Sequence, residues 1–428
     1  MNIQEIHKLF LQCKSLSIDT RKIEKDSLFF AIKGENFDAN TFAKQALELG
    51  ALFVIIDNES YLVDERTILV QNSLETLQEL AKFHRAYLKL PIIALTGSNG
   101  KTTTKELINV VLSKKYKTKA TVGNLNNHIG VPLTLLSFNT ETEIGIVEMG
   151  ANHKKEIEFL CEIAQPDYGY ITNFGKAHLE GFGGVEGVIE GKSEMYQYLA
   201  KNDKIAFVNL EDPIQIQKSV GIKSFTFGVK NDKADVKIEN IAANPFVVVD
   251  YDNFTVESHL IGLYNSNNIN AAVSIGRYFK VDNLAVKEAV ENYIPENNRS
   301  QLLKKGSNQI ILDAYNANPS SMAVAIANFL QLDSQNKVMV LGDMFELGKE
   351  SQQEHKIIVE SLLNQNRSIC YLIGKAFYEN KIASENIQFF ETFGDFSNHL
   401  KTMHFENNAI LIKGSRGMAL ERTLEYIS

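Results

Sequence analysis

The stretch Pro91–Glu106, P-I-I-A-L-T-G-S-N-G-K-T-T-T-K-E, restricts the fold more than any other part of the chain. Ile92 to Leu95 is a continuous apolar run, which fits a strand buried on both faces. Thr96 to Gly100 breaks the run, and Lys101 to Val111 reads as a helix. Strand, glycine-containing loop, Lys-Thr, helix is the layout of a phosphate-binding loop. Glycines let backbone N–H groups close around phosphate oxygens, and the helix N-terminus adds partial positive charge. Lys101 would reach the β- and γ-phosphates, and the Thr102 hydroxyl would hold Mg²⁺. Gly97, Ser98, Asn99, Gly100, Lys101, Thr102 and Thr103 are therefore the candidate residues for binding a nucleoside triphosphate. Only Ser98 and Asn99 separate the two glycines, so the loop is shorter than the usual form.

A loop of this kind needs a parallel sheet behind it, and the chain is long enough for more than one. Its 428 residues suggest two or three domains. Hydrophobic residues make up 44% and charged residues 22%, a globular balance. The net charge of −8, with no basic run or aromatic-basic stripe, argues against a nucleic-acid partner. Cys13, Cys161 and Cys370 are scattered and lack C-x-x-C spacing, so neither a disulfide framework nor a zinc site is expected. Residues 1–10 alternate polar and apolar side chains without a signal-peptide core. No apolar run reaches bilayer length, so a cytoplasmic chain without membrane insertion is expected.

Three regions follow, with boundaries expected at 1–88, 89–296 and 297–428. The first is a small α/β unit: strand-like runs at Asp26–Lys33, Ala51–Ile56 and Thr67–Val70, helices at Thr41–Leu49 and Ser73–Leu88. Its Asp19-Thr20-Arg21 reads as a turn on its own chemistry. In the second, strands alternate with helices, which predicts a mostly parallel sheet. Each strand delivers polar residues at its C-terminal end, where open α/β sheets bind ligands. Ile144–Val147 delivers Glu148, Tyr168–Ile171 delivers Thr172 through His178, and Ile205–Val208 delivers Asn209 through Asp212. The third repeats the rhythm, with strands at Ile310–Leu312, Lys337–Leu341, Cys370–Ile373, Ile387–Phe390 and Ala409–Ile412.

Glu148 stands where a second acidic metal holder would lie, although a carboxylate here could also cap the following helix. His178 alone reads as a loop or core histidine. Metal ligation gains weight from its expected neighbours, Glu148 and the phosphates. Lys192 falls in a helical stretch, Gly187–Leu199, where a lysine ordinarily faces solvent. Asn265 and Asn268 open a further helix and either cap it or face a base edge.

Taken together, these segments resemble the Mur ligases of peptidoglycan synthesis. T-G-S-N-G-K-T-T at 96–103, N-L-N-N-H-I-G-V-P at 124–132, E-M-G-A at 148–151 and I-T-N-F-G-K-A-H-L-E-G-F at 171–182 are similar to the family's central domain. D-A-Y-N-A-N-P at 313–319, L-G-D-M-F-E-L-G at 341–348 and K-G-S-R-G-M at 413–418 are similar to its C-terminal domain. The pairing of Y-N-A-N-P at 315–319 with G-D-M-F-E-L-G at 342–348 resembles the branch that joins D-alanyl-D-alanine to UDP-N-acetylmuramoyl-tripeptide (UDP-MurNAc-tripeptide).

The resemblance implies an α/β protein of three domains. A central P-loop ATPase domain with a parallel sheet is flanked by a small N-terminal α/β domain and a C-terminal Rossmann-like domain. It implies an ADP-forming ligase working through an acyl phosphate, with Lys101, Glu148, His178 and Lys192 as catalytic residues. Thr102 and Glu148 would hold one Mg²⁺ and His178 a second, supported by Lys192 carboxylated with CO₂. Asn265 and Asn268 would face adenine, while Arg299 and Asp313 would reach the nucleotide from the third domain. Asp19, Thr20, Arg21, Asn126, Asn127, Tyr315, Asn316 and Asn318 would contact the UDP-MurNAc-tripeptide and D-Ala-D-Ala substrates. A monomer is expected.

Asp38-Ala39-Asn40 replaces the family's usual Asp-Gly-His, Tyr264 replaces a His, and Lys25-Asp26 replaces a Pro-Gly turn. The alternatives are a sister ligase that adds the third residue, a folylpolyglutamate synthase-like ligase, or a P-loop switch that binds ATP and ligates nothing.

Overall fold

The structure is a computed structural model that describes residues 1–296, 298–363, 365 and 368–427. The boundary expected at 297 and the chain end at 428 lie outside the described residues. Among those described, three sheets and one short hairpin form. The N-terminal sheet has four parallel strands in the order Ser15–Ser17, Ser27–Phe30, Ala51–Ile56, Thr67–Leu69. The C-terminal sheet has six, ordered Gln301–Lys305, Asn308–Asp313, Ala409–Lys413, Lys337–Gly342, Ser368–Ile373, Ile387–Phe390.

The central sheet carries nine strands, and Ile92–Thr96 lies inside it between Tyr168–Ile171 and Ile144–Glu148. All five residues of that strand are buried, as the unbroken apolar run requires. Both neighbours pair with it in parallel, Leu95 opposite Glu148 and Thr96 opposite Ile171. Register alone therefore sets the phosphate loop, Glu148 and Thr172 on one rim. Helix Lys101–Leu112 follows the loop and packs against helix Ser266–Tyr278.

The alternation of strands and helices fails after residue 222. Lys223–Val229 and Val236–Ala243 pair in parallel, but Val236–Ala243, Phe246–Tyr251 and Phe254–Ile261 form an antiparallel meander. Its last turn is the pair Asp252-Asn253, both at positive φ (46° and 63°), the backbone a two-residue hairpin demands. The C-terminal sheet opens likewise with an unexpected antiparallel strand, Gln301–Lys305. Residues 3–10 form a helix rather than anything of period two, because Asn2 and Glu5 close a capping box and Ile6 and Phe10 share one buried face.

Candidate active site

The phosphate loop is held from three sides. Thr172 Oγ1 and Asn173 Nδ2 donate to the Asn99 carbonyl (2.6 and 3.0 Å), and Ser98 Oγ donates to the Gly175 carbonyl (2.7 Å). Asn318 Nδ2, from the C-terminal region, donates to Asn99 Oδ1 (2.7 Å). Gly97 (φ 145°) and Gly100 (φ 77°) are obligatory, since a Cβ at 97 would lie 1.9 Å from Thr172 Oγ1 and one at 100 would lie 2.5 Å from Asn268 Oδ1. Lys101 folds back so that its Nζ donates to the Gly97 carbonyl (2.7 Å). Burial lowers its pKa, an effect the Glu148 carboxylate opposes and the Arg299 guanidinium reinforces.

Glu148 is 1% exposed and caps no helix. Thr102 Oγ1 donates to its Oε2 (2.9 Å) and Asn126 Nδ2 to its Oε1 (2.8 Å). Its backbone N–H donates to Thr121 Oγ1 (2.9 Å). The carboxylate is thus fixed beside the first turn of the loop helix.

Asn265 sits at the N-cap of helix Ser266–Tyr278, but its side chain makes no capping bond, and Asn268 lies within the first turn. Asn268 accepts from Thr104 Oγ1 (2.9 Å) and donates to Asn265 Oδ1 (2.8 Å), and Asn265 donates to the Ile261 carbonyl (2.8 Å). The two amides lock the loop helix to helix Ser266–Tyr278 while lining the cavity. Tyr264, beside them, is half-buried with its hydroxyl 2.8 Å from Ser300 Oγ.

A cavity of about 790 Å³ opens at this rim, lined by the loop, Glu148, Asn126, Asn127, His178, Asn265 and Asn268. Arg299, Asp313, Tyr315, Asn316 and Asn318 line its far wall. There the Arg299 guanidinium stacks 3.6 Å from the centre of the Tyr315 ring. Its buried Nε has no hydrogen-bond partner among the described residues. Asp313 accepts from Lys413 Nζ (2.6 Å) and from the Ser300 N–H (3.1 Å).

Four expected residues lie elsewhere. Lys192 is not on a solvated face: it is 1% exposed, and its Nζ sits 5.2 Å from the centre of the Phe182 ring. Burial lowers its pKa strongly, and the Lys101 charge adds to this. Asp19, Thr20 and Arg21 are outside the cavity wall. Asp19 caps the single turn Thr20–Lys22, and Arg21 closes on it through two bonds (2.8 and 2.9 Å), holding the carboxyl at about 2.

Of the residues expected around a metal, Thr102 and Glu148 touch, whereas His178 Nδ1 meets Glu346 Oε2 from the C-terminal region. Among the described residues no three His, Cys, Asp or Glu side chains gather into a metal-binding group. No described helix is long and apolar enough to cross a membrane. Glu346, Lys413 and Ser320 were missed as site residues. Lys413 and Glu346 stand inside motifs already singled out, but only the closed junction shows what they touch.

Residues 95–276 match the Mur ligase middle domain, 298–416 the Mur ligase glutamate ligase domain, and 12–85 the catalytic domain of the Mur ligase family. The UDP-N-acetylmuramoyl-tripeptide–D-alanyl-D-alanine ligase of Bacillus subtilis is 34% identical over 96% of this chain and 92% of its own. The crystal structure of MurF from Acinetobacter baumannii superposes with a TM-score of 0.86 at 29% identity, covering 99% of this chain and 98% of the other. MurF from Thermotoga maritima, solved in complex with ADP, gives 0.84 at 28% identity over 97% of each chain. Motifs, rim geometry and whole-length similarity agree: the chain belongs to the Mur ligase family.

Proposed function

We propose that this chain is an ATP-dependent ligase that joins D-alanyl-D-alanine to UDP-MurNAc-tripeptide, giving the pentapeptide, ADP and phosphate. The observation that carries the reading is the contact of Thr102 with Glu148 at the foot of a phosphate loop, inside a cavity walled by both the central and the C-terminal sheets. The similarity of the Bacillus subtilis ligase over nearly the whole length supports the substrate pair. A switch that ligates nothing would have no use for a second wall.

The work divides among the three regions. Residues 1–88 hold the UDP end, 89–296 hold ATP, and 297–428 bring the dipeptide. Lys101 leaves the Gly97 carbonyl for the β- and γ-phosphates, helped by loop N–H groups and by the helix N-terminus. Asn265, Asn268, Arg299 and Asp313 hold the nucleoside, Arg299 through the donor that has no partner among the described residues. The terminal carboxylate oxygen of the tripeptide attacks the γ-phosphorus, ADP departs, and an acyl phosphate forms. The dipeptide amine then attacks the carbonyl carbon, loses its proton, and phosphate leaves with the former carboxylate oxygen. Positioning and charge neutralisation carry both steps.

Thr102 and Glu148 offer hard oxygen donors 2.9 Å apart, a pair that suits Mg²⁺, which takes its other ligands from phosphates and water. The ion would neutralise charge on the β- and γ-oxygens. His178 would serve a second ion. Lys192 is a buried amine of lowered pKa with no hydrogen bond or ion pair among the described residues, which is the state that reacts with CO₂. As a carbamate it would attract Lys101, where the ammonium repels it. We read the enzyme as a cytoplasmic monomer.

The test of the chemistry is isotopic. Tripeptide labelled with oxygen-18 in its terminal carboxylate should pass one labelled oxygen to the released phosphate. Unlabelled phosphate would overturn the acyl-phosphate route.

A further inference from the structure

His178 leaves the rim in the left-handed conformation (φ 52°), just before the short helix Leu179–Phe182. Facing it is Glu346, itself left-handed (φ 61°), on the turn that follows strand Lys337–Gly342 of the C-terminal sheet. Glu346 grips this segment twice. Its carboxylate lies against His178 Nδ1, close but not aligned as a hydrogen bond, and its backbone carbonyl accepts from the Glu180 N–H (3.3 Å). Gly348 keeps the turn close, since a Cβ there would approach the Glu180 side chain to 3.0 Å. Two non-glycine residues at positive φ, facing each other across a junction, mark a place where the surroundings enforce an unusual backbone.

A carboxylate charge set against Nδ1 favours the proton on that nitrogen and leaves Nε2 as a lone pair. His178 lines the cavity, so the free edge of its ring belongs to the site. We propose that Glu346 is a positioning residue. When the C-terminal sheet docks on the central one, its carboxylate fixes the orientation and tautomer of His178 and leaves Nε2 for the reacting groups. The inference rests on the function proposed above and deepens it: the region that brings the amine also completes the site, so the acceptor is activated only when the amine is in place.

A second strut holds the same loop without touching His178. Lys176 pairs with Glu354 (2.6 Å), and its N–H donates to Ser320 Oγ (2.8 Å). Glu354→Gln is therefore the control for loss of a junction carboxylate that does not touch His178.

Two readouts test the proposal in the full chain. The first is the ¹⁵N imidazole spectrum of histidine-labelled protein without nucleotide, with His178 assigned by substitution. The wild type should show His178 protonated on Nδ1, Glu346→Gln should shift it to a mixture, and Glu354→Gln should leave it unchanged. The second is kinetics. Glu346→Gln should lower kcat roughly 10- to 100-fold, in the range of lost histidine-orienting partners, with little change in KM for ATP. Glu346→Asp should recover part of it. An unchanged tautomer in folded Glu346→Gln, or a kcat that stays level or rises, would overturn the proposal alone. Full activity in His178→Gln would overturn the underlying reading of the site as well.

Discussion

Lys101 carries its charge in a place that tends to remove it. Its ammonium is enclosed by the loop, tied to the Gly97 carbonyl, and lowered in pKa by burial. A nucleotide's phosphates would add opposite charge to what the Gly97 carbonyl and the Glu148 carboxylate supply. Lys101→Met should therefore lose roughly 10²- to 10³-fold in kcat, the usual cost of removing one charge-stabilising group, while the melting temperature stays level or rises. A melting temperature that falls by several degrees would show that the ammonium stabilises the fold. Glu148→Gln places an amide where two donors, Thr102 Oγ1 and Asn126 Nδ2, already point. At least one donor loses its acceptor, so ATP turnover should fall by about 10²-fold or more with folding retained. Activity near wild type would remove Glu148 from the machinery.

At the scale of elements, a strand buried on both faces and a loop at its end were legible because each has a local signature. The antiparallel meander at 236–261 was not read, though its signals are there: alternation in Val236–Ala243 and the Asp252-Asn253 turn. The strand–helix rhythm before residue 222 masks them. Residues 3–10 went the other way, where a capping box outweighed apparent alternation. That helix packs on Ser73–Leu88 through a histidine pair. His7 Nε2 lies 2.9 Å from His84 Nδ1, and His84 Nε2 lies 3.0 Å from the Phe138 carbonyl, so both rings fit as neutral donors in a chain. Burial and then the His84 charge lower the His7 pKa to about 4, and burial lowers that of His84. The unfolded chain takes up these protons near pH 6.5. The pair's contribution to stability is complete above that pH and is lost as pH falls toward about 4. The melting temperature should drop between pH 7 and 5 in the wild type and drop less in His7→Phe. Equal slopes would show that the pair plays no part in acid sensitivity.

Across the whole molecule, the site is a junction. The rim residues Gly97 to Thr103 and Glu148 could be read from the sequence because each follows a recognisable strand. Lys192 read by default as a surface lysine, since a helix position does not reveal which face the core covers. Glu346 stands inside the 341–348 motif, but nothing local says what it faces, and only docking of two sheets gives it a partner. Asn318, Ser320, Glu346 and Glu354 join the C-terminal region to the loop and to residues 176–180. Loosening that junction with Asn318→Ala and Glu354→Gln together should raise the radius of gyration in solution scattering and raise KM for the dipeptide. An unchanged profile would mean that the junction is held by other contacts.

The measurement that tests the ligase reading most directly is phosphate release with ATP, Mg²⁺, UDP-MurNAc-tripeptide and D-Ala-D-Ala, leaving out one component at a time. Release that requires all four is expected, because the carboxylate accepts the phosphoryl group and the amine discharges it. Release with ATP and Mg²⁺ alone would contradict the reading and identify an ATPase or switch instead.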